Sequence, residues 1–149
     1  MTRTQMDIEL LHRVTCGNES AKDFLANYWS RYVHEIDDII DEDRTKPEDI
    51  LATFALAVEV YSHPFYLANL ASLKRLVLII NSTFADAVAW EQSPDAWKVN
   101  FADHHRHVGM DMVVAVAQIC GGYEHGRRIS QEQREICYLD HHNREGKPI

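Results

Sequence analysis

Ser20-Ala-Lys-Asp-Phe-Leu-Ala-Asn-Tyr-Trp-Ser-Arg-Tyr-Val-His-Glu-Ile-Asp-Asp-Ile-Ile-Asp-Glu42 decides the fold class. Leu25, Trp29, Val33, Ile36 and Ile40 recur at steps of three and four, the spacing of one helix face. Ser20-x-x-Asp23 resembles a capping box, which opens the helix. Working outward, the same signals repeat. Ile8, Leu11 and Val14 mark a short first helix that Gly17 ends. Thr45-Lys-Pro-Glu48 opens a third helix with Pro47 at its first position, and this helix closes near His63-Pro64. A long fourth helix is expected from about Phe65 to Glu91. Ser93-Pro94-Asp95 caps a fifth, which runs to Gly121-Gly122. Ser130-x-x-Gln133 opens a last helix to about His142, and the tail from about Asn143 reads as irregular. No segment alternates with period two. The chain is expected to be all-α, a single-domain antiparallel bundle of about five or six helices spanning 1–149.

Composition narrows the function classes. The chain has 149 residues, enough for one domain with a core. Its formal charge of -8 disfavours a nucleic-acid backbone as partner. No run approaches the roughly 20 apolar residues that span a bilayer, and the N-terminus lacks a signal peptide's apolar stretch. Cys16, Cys120 and Cys137 form no CxxC, which fits a reducing cytoplasm.

Three carboxylates interrupt apolar runs. Glu59 lies in Phe54-Ala-Leu-Ala-Val-Glu-Val-Tyr61 and Asp86 in Phe84-Ala-Asp-Ala-Val-Ala-Trp90. Asp111 lies in Val108-Gly-Met-Asp-Met-Val-Val-Ala-Val-Ala117. A buried carboxylate demands a metal, a cation or a shared proton, because stripping its water costs several kcal/mol or more. On a continuous fifth helix Asn100, His104, His107, Asp111 and Gln118 form one polar seam. On the fourth, Ser72, Arg75, Ser82 and Asp86 form another. His and carboxylate recur at i, i+4 in His34/Asp38, Glu59/His63 and His107/Asp111, a spacing that presents two ligands to one metal. The bland alternative is a set of structural hydrogen bonds.

The string Asp37-Asp-Ile-Ile-Asp41 with Glu42 resembles the aspartate-rich motif of class I isoprenoid diphosphate and terpene synthases. That resemblance implies carboxylates holding magnesium against a diphosphate. The nearest counterpart of the second motif, Asn81-Ser-Thr-Phe-Ala85, continues to Ala89 where those enzymes carry Glu, so no family is assigned. Glu35-x-x-Asp38 is similar to one half of the acidic pairs of small all-helical nucleotide pyrophosphohydrolases. HD-type phosphohydrolases need His-Asp, and here Asp103-His-His105 and Asp140-His-His142 reverse the order. On the wheel, His34, Asp38 and Asp41 lie nearly opposite their helix's apolar stripe, and a solvated acidic face is the competing reading.

The expected function is a divalent-metal-dependent hydrolase of a small phosphorylated or diphosphate substrate. Glu59, Asp86, His107 and Asp111 are the candidate metal ligands. Asp37, Asp38 and His34 would complete the site or activate water, and Arg75 would grip the anion. Oxygen ligands favour magnesium or manganese, while the histidines leave zinc or iron open. One alternative is an iron or manganese redox bundle, although ferritin-like sites use Glu-x-x-His at i+3 rather than i+4. Another is a non-catalytic helical interaction domain with a structural buried polar network. The expected partner is a small anionic molecule, with no nucleic acid and no membrane, and a homodimer stays open.

Overall fold

The structure, a computed structural model, describes the backbone of residues 3–144 and the side chains of residues 8–137. The fold is all-α, and the described residues contain no strand. Contacts group into two compact units, Met1–Ser72 and Leu73–Ile149.

The first unit begins with α1 (Arg3–Val14), which ends where Cys16 and Gly17 turn to φ 50° and 78°. The Gly17 amide closes the end on the His12 carbonyl at 3.0 Å. Helix α2 (Glu19–Asp23) starts earlier than the Ser20 box suggested. Asn18 is the cap, and its side chain accepts from the Ala21 amide at 2.9 Å. A π segment (Phe24–Trp29) follows and leads into α3 (Ser30–Ile40). The Ser30 amide reaches back five residues to the Leu25 carbonyl. The wider turn shifts the stripe: Leu25 and Trp29 are buried, Val33 and Ile36 only half-buried, and Ile40 exposed. Helix α4 (Pro47–Tyr61) opens on Pro47 as expected. The single long fourth helix is divided. Asn69 separates α5 (Pro64–Ala68) from α6 (Leu70–Trp90), its side chain donating to the Phe65 carbonyl at 2.9 Å.

Phe24 centres the first unit's core. Its ring lies 5.4 Å from His63, 5.7 Å from Phe65 and 6.3 Å from Tyr66. A polar latch joins α3 to α4. Glu35 accepts from the Thr53 hydroxyl at 3.0 Å and pairs with Arg44 at 3.4 Å, while Arg44 also meets Asp49 at 3.2 Å.

The second unit holds most of α6, then α7 (Ala96–His105), a 3₁₀ turn (Val108–Met110), α8 (Asp111–Gly121) and α9 (Tyr123–Arg144). The continuous fifth helix of the sequence reading is therefore broken at Arg106–Met110, and its seam with it. The His105 ring nitrogen bonds the Phe101 carbonyl, and Gly109, a weak helix former, sits in the turn. Gly122, at φ 88°, ends α8 and lets α9 start at once, so Ser130 lies inside α9 rather than at its start. The two helices return on each other closely. A Cβ at Gly126 would stand 2.2 Å from Gln118 Cγ and 3.2 Å from its backbone nitrogen. Residues 145–149 of the expected irregular tail lie outside the described residues.

Candidate functional site

The second unit contains a cavity of about 580 Å3 between α7, the 3₁₀ turn, α8 and α9, with Thr83 of α6 on its wall. Asp103, His104, His105 and His107 come from the end of α7 and the turn after it. Asp111 is the first residue of α8, while Arg134, Glu135 and Cys137 come from α9. Asp103, His104 and His105 share the last turn of α7, and the break after His105 takes His107 out of the helix and onto the same wall as Asp111.

Three contacts define groups on the wall. The His105 Nδ1 lies 2.9 Å from the Phe101 carbonyl oxygen, which can only accept. Nδ1 therefore carries the proton, and Nε2 of the neutral ring keeps the lone pair. The ring is held a second way, stacked on Phe101 with centroids 3.6 Å apart and planes at 8°. An imidazole fixed at one nitrogen presents the other as a base or ligand in a set direction. Asp111 faces Arg134 at 3.6 Å, with side chains 37% and 69% exposed. This distance is too long for a strong bidentate pair, so both charges stay available to a third partner. The sulfur atoms of Cys137 and Met110 touch on the wall. Behind the turn, Arg106 pairs with Glu91 and lies 5.0 Å over the Phe84 ring, anchoring α7 to α6.

The structure brings together only part of the site expected from sequence. His107 and Asp111 line the cavity, although through a turn and not as neighbours on one helix. Glu59 and Asp86 do not line it, and both are exposed. Their apolar neighbours misled. On α4 the buried positions are Thr53, Leu56 and Val60, whereas Leu51, Phe54 and Val58 are 67%, 71% and 57% exposed. On α6 the buried line is Leu73, Ile80 and Ala87, which leaves Asp86, Ser82 and Arg75 outside. Arg75 is not on the cavity wall.

His34, Asp37 and Asp38 belong to the first unit, where His34 is exposed and the two aspartates are half-buried. The acidic string runs past the end of its helix. Glu42 adopts φ 64°, and the Asp38 carbonyl accepts from the amides of Asp43 and Arg44 at 2.8 and 3.3 Å. Glu35, half of the Glu35-x-x-Asp38 pair, is committed to Thr53 and Arg44. Among the described residues, no group of three or more His, Cys, Asp and Glu side chains is arranged to hold a metal ion.

The His63 expected to join Glu59 turns elsewhere. Its Nδ1 accepts the Phe65 amide at 3.1 Å, capping α5, so its Nε2 donates to Asp23 at 2.9 Å. Asp23 is held below its ordinary carboxylate value, first by the Asn27 amide and then by His63.

His105, Asp103, His104 and Arg134 were missed as site residues. The signal for the first three was present: His104, His105 and His107 fall within four positions beside Asp103, the densest histidine cluster in the chain. Arg134 had none, because its approach to Asp111 depends on how α8 and α9 pack. Comparison with protein-family models, with curated proteins and with solved structures finds no match. Among the described residues no helix is long and apolar enough to cross a membrane.

Proposed function

We propose that this cavity is the active site of a magnesium-dependent hydrolase of small phosphorylated molecules. The observation that carries the reading is His105. Its proton is pinned on Nδ1 by the Phe101 carbonyl while its ring stands on the wall of a cavity that also carries Asp111 and Arg134. The cavity's size suits a small ligand, since such sites run about 300–1,000 Å3.

The donor set fits magnesium brought in with the substrate. That ion commonly takes one or two protein carboxylates and completes its shell with phosphate oxygens and water, so it needs no three-residue cage. Asp111 would hold it, with Asp103 or His107 beside it, and the bound ion would neutralise charge developing on the phosphate. Zinc and iron sites commonly draw three protein ligands from His, Cys and carboxylate, and no such group is arranged among the described residues, so they fit less well.

The remaining steps belong to the chain's own groups. Arg134 swings from its loose contact with Asp111 onto a phosphate oxygen. His105 Nε2 takes a proton from water as the oxygen attacks phosphorus. The bond from phosphorus to the leaving oxygen breaks, and protonated His105 returns its proton to that oxygen. The three cysteines are thiols, and with the chain's composition they support a cytoplasmic setting.

Phosphate release from pyrophosphate, ADP and p-nitrophenyl phosphate in magnesium tests the proposal. His105→Gln is expected to lower kcat by about 100-fold or more, in line with the loss of a general base. Asp111→Asn is expected to raise the magnesium concentration needed for half-maximal rate. Absence of release from all three compounds, or an undiminished rate in His105→Gln, overturns it.

A further inference from the structure

Helix α7 carries Trp97, Phe101 and His105 at four-residue steps, so the three rings share one face. Phe101 stacks on His105, meets Trp90 at 5.2 Å, and Trp90 in turn meets Trp97 at 5.7 Å. The aromatic stripe therefore runs from the cavity wall at His105 to Trp97. It is not buried: Trp97 is 62% exposed and Phe101 37%. Aromatic area left in water is unfavourable, and a contiguous patch of it marks a binding surface.

Charge accompanies the stripe. The Lys98 ammonium lies 5.5 Å from the centre of Trp97 and 5.8 Å from that of Trp90, tethered by Asp95 at 3.2 Å. Eight residues separate Trp97 from His105, about 12 Å along the helix axis. A nucleoside diphosphate extends about that far from its base to its terminal phosphate.

Resting on the reading of the cavity as a phosphate-hydrolysing site, we infer that the substrate is a nucleoside phosphate. Its base stacks on Trp97, the more exposed of the rings, and its phosphates lie between His105 and Arg134. Aromatic side chains accept any base, because every base has a π-face. A sugar phosphate or pyrophosphate has no aromatic ring to place there. A polynucleotide fits poorly, since the protein's net charge of -8 repels a long phosphate backbone while one nucleotide meets only the local cations.

Isothermal titration of the full chain with ADP and with inorganic pyrophosphate, both in magnesium and with turnover suppressed by His105→Gln, tests the inference. ADP is expected to bind about tenfold more tightly, the gain of stacking one base. Trp97→Leu is expected to bring ADP affinity down to within about twofold of pyrophosphate, as removal of the stacking platform requires. Its melting temperature checks that the variant is folded. Equal affinities with Trp97 intact, or undiminished ADP binding by folded Trp97→Leu, overturn the nucleoside inference alone. Failure of both compounds to bind overturns it together with the reading of the cavity.

Discussion

Two histidines in the two units use opposite nitrogens. His63 is buried, and both of its nitrogens are committed: Nδ1 accepts the Phe65 amide and Nε2 donates to Asp23. His105 spends only Nδ1, as a donor to the Phe101 carbonyl, on a ring at a cavity wall. The same residue type thus serves as a structural clamp in one unit and as a candidate base in the other. Burial does not separate the roles by itself. What separates them is whether the fold has consumed the lone pair that chemistry would need.

The largest stability effect is expected at the clamp. His63→Ala removes the α5 cap, the partner of Asp23 and the rings packed by Phe24 and Tyr28. About 2–3 kcal/mol of unfolding free energy should be lost, read as a fall in urea midpoint. His105→Gln should cost no more than about 1 kcal/mol of unfolding free energy, the worth of one hydrogen bond, while suppressing turnover. Equal destabilisation by the two variants would erase the contrast.

A smaller loss tests the second unit's frame. Gly126→Ala forces a Cβ against Gln118 and must push α9 from α8, which carry Arg134 and Asp111. A cost of about 1–3 kcal/mol is expected from overpacking, with weaker pyrophosphate binding. Trimming the neighbour in the double variant Gly126→Ala with Gln118→Ala should recover part of both losses.

The smallest effect is the pH dependence of the clamp. Asp23 has its pKa lowered from 3.8 in the folded protein. Its stabilisation is therefore present above pH 3.8, the unfolded value, and is lost as pH falls through the lower folded value. The carboxylate is 49% exposed, so about 1 kcal/mol is a generous expectation after solvent screening. Urea midpoints from pH 5 to pH 2 should fall more steeply in wild type than in Asp23→Asn. Parallel curves would show that the carboxylate adds nothing.

The all-α fold was legible because three- and four-residue spacing and terminal residues such as Pro47 and Gly122 act locally. The interruptions were less so. The long helices divide at Asn69 and after His105, where each side chain also bonds the carbonyl four residues back, and periodicity does not register either break. The π segment at Phe24–Trp29 rotates the rest of its stripe through a backbone bond reaching five residues back, which the side-chain pattern does not announce. For the site, Asp111 and His107 were found because an acid and an imidazole stood out against apolar residues. Glu59 and Asp86 looked equivalent, yet helix neighbours cover different faces, and theirs face solvent. Arg134 depends on the α8–α9 hairpin, a tertiary fact 23 positions removed from Asp111.

The imidazole tautomers test the contrast most directly, through two-bond nitrogen–proton correlation spectra of the neutral rings in the ¹⁵N-labelled full chain. The account predicts that His63 carries its proton on Nε2 and His105 on Nδ1. His105 protonated on Nε2, the form an unconstrained imidazole in water prefers, would contradict it.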